Sequence, residues 1–158
     1  MELAQAPITP KDEIVGNLIA EHIPDGATIQ FGIGSIPNAV GQALKNKKNL
    51  GVHSEMFTET MVDLIECGAI NNLRKQINPN KSISCFAIGS RRMYDFIDDN
   101  PGIEFHSIDY VNDPTVIGQH DNFISINATI EVDLIGQACS ESIGTRQFSG
   151  TGGQVDFI

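Results

Sequence analysis

One acidic residue and two glycine-rich turns are the parts of this sequence best suited to chemistry. Glu55 follows the short apolar run 50–53. The two turns consist of Gly32, Ile33 and Gly34 upstream and of Gly152 and Gly153 downstream. A carboxylate at the end of a buried strand can attack an acyl carbonyl, and backbone N–H groups in glycine turns can hold the oxyanion. The combination indicates covalent acyl chemistry.

Each of these elements also has a simpler interpretation. The first glycine turn could be purely structural, or it could belong to a dinucleotide-binding fingerprint. Such a fingerprint has an acidic residue about 20 positions further on, where this chain has Glu55, but it also needs a third glycine in place of Pro37. His53 could act as an acid or base, or it could be a structural histidine inside an apolar strand. The segment 150–153 could be a flexible turn.

A candidate partner for the carboxylate is Asn112, which precedes Asp113 and Pro114. Asparagine in such a position is often only a turn former. A functional asparagine would donate a hydrogen bond to a carboxylate or a thioester. Spacing alone does not choose between the two roles.

The elements that must position these residues alternate between strand and helix. Strands are predicted at 27–31, 50–53, 82–88 and 103–108, with further β-rich stretches at 123–127 and 129–134. Helices are predicted to begin near residues 9, 35, 58 and 90. This order predicts an α/β fold with a mostly parallel sheet, and Glu55 at a strand's carboxyl end, where such sheets bind ligands. The final residues, 154–158, are predicted to start another strand, which suggests a truncated domain.

Composition limits the classes of function. A chain of 158 residues suits one domain, and its net charge of −10 argues against nucleic acid or an anionic membrane as a partner. No apolar run is long enough for a membrane span. Three cysteines without CxxC spacing predict reduced thiols and a cytoplasmic protein, and no metal-ligand cluster or Ser-His-Asp spacing is found.

Beyond these patterns, the chain resembles the acetyl-CoA hydrolase/CoA-transferase family, and among its members most resembles the 4-hydroxybutyrate CoA-transferases. The resemblance covers nearly the whole chain after Pro10. It rests on the segments 25–34, 50–57, 94–101, 111–114, 126–127, 130–137, 142–146 and 149–157.

The resemblance implies a three-layer α/β fold of the CoA-transferase (NagB/RpiA-like) type, truncated at the C-terminus. Residues 1–10 would be an N-terminal extension and 11–158 a partial C-terminal catalytic domain. It implies that Glu55 forms a glutamyl-CoA thioester and that Asn112 bonds to this carboxylate. The oxyanion amides would lie near Ile33 and at Gly152 or Gly153.

The resemblance also implies the substrates, an acyl-CoA and a small carboxylate, with coenzyme A as a thioester substrate and no covalently bound cofactor. The remaining surface would come from a homo-oligomer or from missing domains of the same enzyme. Two alternatives stay open: an acyl-CoA hydrolase of the same family, and a catalytically inactive fragment that only associates.

Overall fold

A computed structural model describes residue 2 and residues 7–158 of the chain, so half of the predicted extension 1–10 lies outside the described residues. Its centre is a sheet of five strands, β1 (Thr28–Phe31), β2 (Gly51–Phe57), β3 (Ser82–Ala87), β4 (Ile103–Phe105) and β5 (Phe123–Ile126). They lie in the order β4-β3-β2-β1-β5, and every neighbouring pair is parallel. The predicted α/β class with a mostly parallel sheet is confirmed.

Six α-helices accompany the sheet in the described part of the chain. They are α1 (Pro10–Glu21), α2 (Ser35–Ala43), α3 (Glu59–Glu66), α4 (Arg91–Ile97), α5 (Ile108–Val111) and α6 (Pro114–Ile117). The start of α1 follows from its sequence. The Thr9 hydroxyl accepts from the Asp12 N–H, the Asp12 carboxylate accepts from the Thr9 N–H at 2.9 Å, and Pro10 occupies the first turn.

Two apolar clusters cover the sheet. The larger one joins the first four helices to side chains of the sheet such as Ile29 and Val52. The smaller one joins Ile83 of β3 to Val111 and Ile117 of the last two helices. Because successive side chains of a strand point to opposite faces, the sheet is packed on both faces and forms the middle of three layers.

The prediction that residues 154–158 begin a strand is wrong. Residues Gln154–Phe157 form a 3-10 helix. The reason is the placement of apolar side chains: Phe157 is buried against the smaller cluster, whereas Val155 and Ile158 are 61% and 83% exposed. One inward side chain in a tight turn satisfies this pattern, and the Phe157 ring stacks on Phe123 with 6.0 Å between centroids.

Three predicted strand limits also need correction. Strand β2 continues to Phe57, so Glu55 lies inside a strand and not after it. Strand β4 ends at Phe105, because Ser107 caps the short helix α5 and its carbonyl accepts from the Val111 N–H. In the stretch 129–134, only β6 (Glu131–Val132) is strand, paired antiparallel with β7 (Ala138–Cys139).

The rest of the C-terminal segment contains one more short pair, β8 (Ser142–Ile143) with β9 (Arg146–Gln147). The chain then returns to the sheet, where Phe157 is buried. None of the described helices has the length and apolar character needed to cross a membrane.

Candidate active site

Glu55 lies at a cavity of about 590 Å³ at the carboxyl edge of the sheet. The walls come from the ends of four strands and from the returning C-terminal segment. The strand ends contribute Phe31 and Gly32 after β1, Glu55 and Met56 of β2, Phe86 of β3 and Asn127 after β5. Glu55 is the only ionisable side chain among the described residues that line this cavity.

The cavity also lies where the direction of strand addition reverses. Strands β2, β3 and β4 follow one another on one side of β1, whereas β5 pairs with β1 on its other side. Open parallel sheets commonly bind ligands at such a switch point.

Two groups lie against the Glu55 carboxylate. The side-chain amide Nδ2 of Asn112 donates to its Oε2 at 3.2 Å. The backbone of Gly153 lies against the same oxygen so closely that a Cβ on this glycine would be 1.6 Å from it. The structure therefore brings together three of the residues singled out from the sequence, although they lie far apart along the chain.

Asn112 is buried, and its position is set by the end of α5. Its backbone N–H donates to Ile108 O at 2.9 Å. Its side-chain nitrogen also donates to Asp156 Oδ2 at 2.9 Å, and its Oδ1 accepts a long contact of 3.9 Å from the Cys85 thiol. Asp156 and Cys85 were given no role from the sequence. The signal for Asp156 was its place three residues after the second glycine turn.

The first glycine turn is held against β5. Gly32 N–H donates to Ile126 O at 2.8 Å, and a Cβ on Gly32 would be 2.7 Å from Asn127 Oδ1. The Ile33 N–H has no hydrogen-bond partner among the described residues and lies at the cavity wall. Gly34 has a φ of 131°, which favours glycine, and caps α2 instead of lining the cavity.

The second glycine turn belongs to the part of the cavity wall contributed by the C-terminal segment. Gly152 and Gly153 both line the cavity, and their N–H groups have no hydrogen-bond partner within the described part of the chain. Free backbone N–H groups in turns that line the same cavity as a carboxylate are suited to holding an oxyanion.

A polar network next to the first turn was not expected from the sequence. Gln30 and Asn127 exchange two amide hydrogen bonds of 3.1 and 3.0 Å, and Ser125 donates to Gln30 Oε1 at 2.7 Å. A glutamine inside a fully buried strand and an asparagine just after another strand were the available signals. The network fixes Asn127 where it supports Gly32.

His53 has the geometry of a structural residue. It is fully buried, its Nε2 hydrogen-bonds to Val111 O at 2.7 Å, and it is not among the residues that line the cavity. Burial lowers the pKa of His53 to about 4. Its ring packs 5.2 Å from that of His120, whose pKa burial lowers to about 3.

Among the described residues, neither the cysteines nor any group of metal-binding side chains forms a second candidate site. Cys67, Cys85 and Cys139 are free thiols. Burial, and then the negative charge of Glu55, raise the pKa of Cys85 to about 11. Within residues 7–158 and at residue 2, no three His, Cys, Asp or Glu side chains form a group that could hold a metal ion.

The fold and the cavity define an α/β domain with a carboxylate and two glycine turns at the carboxyl edge of a parallel sheet. Residues 89–158 match the family model of the acetyl-CoA hydrolase/transferase C-terminal domain. The chain belongs to the acetyl-CoA hydrolase/transferase family.

Two curated relatives and one solved structure document the similarity. The chain is 54% identical over 152 residues to succinyl-CoA:cyclohexane-1-carboxylate CoA transferase of Geobacter metallireducens, covering 96% of this chain and 35% of the relative. It is 50% identical over 158 residues to 4-hydroxybutyrate coenzyme A transferase of Clostridium kluyveri, covering 100% of this chain and 37% of that relative. The crystal structure of RipA from Yersinia pestis superimposes with a TM-score of 0.90 at 39% identity, covering 99% of this chain and 34% of that one. The chain thus spans about a third of the length of the curated relatives it matches.

Proposed function

We propose that this chain carries the nucleophilic centre of an acyl-CoA:carboxylate CoA-transferase, with Glu55 as the residue that bonds covalently to the substrate. The observation that carries the proposal is the position of the Glu55 carboxylate. It lies in a cavity between two turns with free N–H groups and accepts a hydrogen bond from Asn112. The similar relatives named above are CoA-transferases.

In the proposed first half-reaction, a Glu55 carboxylate oxygen attacks the thioester carbonyl of the acyl-CoA. The C–S bond breaks, CoA leaves as thiolate, and a mixed anhydride between Glu55 and the acyl group remains. The thiolate then attacks the Glu55 carbonyl and releases the acyl group as a free carboxylate. Glu55 is left as a glutamyl-CoA thioester.

In the second half-reaction, an acceptor carboxylate attacks the carbonyl of the glutamyl thioester and the thiolate leaves again. The thiolate attacks the acyl side of the new anhydride, so a new acyl-CoA forms and the Glu55 carboxylate is restored. Each tetrahedral intermediate carries an oxyanion, for which the N–H groups of Ile33 and of Gly152 or Gly153 are the proposed donors. One such donor is worth about 10²–10³ in rate.

Transfer is favoured over hydrolysis by the chemistry of the cavity wall. Every transfer step exchanges one anion for another, so no proton has to move. Attack by water would need a base. Apart from Glu55 itself, the described residues that line the cavity provide neither a carboxylate nor a histidine, and the nearby Asp156 carboxylate is already engaged by Asn112. We therefore place hydrolysis second.

The relatives are nearly three times as long as this chain. We propose that further polypeptide, from missing domains of the same enzyme or from a second copy, completes the surface that contacts CoA and the acceptor. The three free thiols support a cytoplasmic location.

The test is covalent trapping. The chain is incubated with butyryl-CoA or acetyl-CoA and then with hydroxylamine, which converts an activated glutamyl group to a hydroxamate. Peptide mass spectrometry is expected to find the hydroxamate at Glu55 and to lose it in Glu55→Gln. The matched control is Glu141→Gln, a carboxylate that does not line the cavity and should leave labelling unchanged. Labelling at another residue, or none on the wild-type chain, would contradict the proposal.

A further inference from the structure

Two carboxylates share one amide nitrogen beside the proposed nucleophile. Asn112 Nδ2 donates to Glu55 Oε2 at 3.2 Å and to Asp156 Oδ2 at 2.9 Å. The Glu55 and Asp156 oxygens therefore lie next to the same nitrogen, and their separation cannot exceed the sum of these two distances. A primary amide has two N–H bonds, so it can satisfy both carboxylates at once.

Asp156 is held in place by its neighbours in the 3-10 helix. Its N–H donates to Gly153 O at 3.1 Å. The next residue, Phe157, is 6% exposed and packs in the smaller apolar cluster with Val111, the residue just before Asn112. The carboxylate of Asp156 and the amide of Asn112 are thus fixed by the same patch of core.

We propose that Asp156 is a positioning residue, which holds the Asn112 carboxamide with its nitrogen toward Glu55. The catalytic meaning of this role rests on the function proposed above. A carboxamide can rotate by half a turn and exchange its nitrogen for its oxygen. In the rotated state the Asn112 carbonyl oxygen would face both carboxylates and leave both without their donor.

The role of Asp156 matters most when Glu55 is modified. In the anhydride and in the thioester, Glu55 has lost its negative charge and is a weaker acceptor, so it orients the amide less strongly by itself. Asp156 is not modified in the proposed cycle, so its carboxyl group remains an acceptor for the amide. The amide therefore stays oriented toward Glu55 between the two half-reactions.

The other end of the carboxamide agrees with this orientation. Its oxygen faces Cys85 Sγ at 3.9 Å. Because the pKa of this thiol is raised to about 11 by burial, it remains protonated at neutral pH and can serve as a weak donor.

The test observes the Asn112 side-chain amide by ¹H–¹⁵N NMR of the chain, with its signals assigned by their loss in Asn112→Asp. In the wild type we expect these signals to shift in response to protonation of both carboxylates, Glu55 and Asp156. Glu55→Gln should remove the first response and Asp156→Asn the second. Cys85 does not titrate in the same range, because its pKa is about 11.

The variant that separates positioning from simple contact is Asp156→Ala. If Asp156 holds the amide, the Asn112 signals of this variant should no longer shift when Glu55 is protonated. In Asp156→Asn that shift should remain, because an acceptor oxygen is still present. A Glu55 response that is unchanged in Asp156→Ala would overturn the proposal. So would Asn112 signals that respond to neither carboxylate. Thermal unfolding of both variants checks that each is folded.

Covalent trapping distinguishes failure of this proposal from failure of the proposed function. Loss of one charge-assisted hydrogen bond should slow labelling of Glu55 about 10-fold in Asp156→Ala, and the weaker neutral bond should limit the loss to about threefold in Asp156→Asn. If the NMR pattern holds but the wild-type chain is never labelled, the positioning role stands and the proposed function fails. If the wild type is labelled and both variants match it, the positioning role fails.

Discussion

The substitution Gly153→Ala tests the site most directly, because its backbone cost is small and its steric effect is large. Gly153 has φ −90° and ψ 2°, which alanine adopts without strain. A Cβ there would lie 1.6 Å from Glu55 Oε2 and 2.5 Å from Asn112 Nδ2. Ordinary contact begins at about 3.4 Å, so the carboxylate has to move by about 2 Å.

The expected magnitude follows from which atoms must move. The Glu55 carboxylate is the far end of a flexible side chain, so it can swing away at little cost in folding free energy. Replacing glycine also lowers the entropy of the unfolded chain, which offsets part of that cost by about 0.4–1 kcal/mol. A reacting group misplaced by about 1 Å can lose about 10² in rate. We expect labelling of Glu55 to fall by at least about 100-fold while the midpoint of thermal unfolding changes little.

The assay is the rate of hydroxamate formation at Glu55, measured together with the Asn112 amide signals and the unfolding midpoint. The matched control is Gly150→Ala in the same segment, where a Cβ would have no heavy atom within 4 Å. The reasoning is refuted if Gly153→Ala is labelled at the wild-type rate with unchanged Asn112 signals, or if Gly150→Ala loses as much.

Two predictions concern stability. Burial depresses the pKa of His120 to about 3, and both ring nitrogens are buried without a partner among the described residues, so the unfolded chain binds more protons between about pH 3 and 6.5. The free energy of unfolding should therefore fall as the pH drops below 6.5, by about 1–2 kcal/mol down to pH 5 from this residue alone. Urea titrations should show a smaller loss of this free energy in His120→Phe. The control His22→Phe, at an exposed site, should lose as much as the wild type. At Gly16, where a Cβ would be 2.7 Å from the Ala39 backbone, alanine should destabilise by about 1–3 kcal/mol despite its better helix propensity. The control Asn17→Ala measures the effect of helix propensity alone at a neighbouring position of α1. If Gly16→Ala has a higher free energy of unfolding than the wild type, α1 and α2 do not pack this closely.

Much of the fold could be predicted because local signals and hydrophobic pattern agreed. Thr9, Pro10 and Asp12 together specify the start of α1, and both of the first two strands are followed by a helix of predicted position. The sequence did not reveal the end of β2 or the 3-10 helix at Gln154–Phe157. In both places, contacts with distant parts of the chain decide the outcome: β2 pairs with β3 as far as Phe57, and Phe157 is buried in a distant cluster.

The candidate site was predictable only in part, for a related reason. Glu55 and the glycine turns could be found because their residue types are unusual in their local setting, although their catalytic roles remain predictions. The contact between Asn112 and Glu55 joins residues 57 positions apart, and that with Asp156 joins residues 44 apart. Spacing along one sequence carries no information on such contacts. The same holds for Gln30 and Asn127, which meet only because β1 pairs with β5.

The arrangement makes the site depend on one apolar side chain outside the cavity. Phe157 fixes the 3-10 helix to the face of the sheet that carries α5 and α6. That helix presents Gly153 to the Glu55 carboxylate and Asp156 to the Asn112 amide. The segment before it is largely exposed and contains only two-residue strands, so it contributes little rigidity of its own. Burial of Phe157 therefore ties the second glycine turn to the sheet. The geometry around Glu55 should be lost before the sheet itself unfolds.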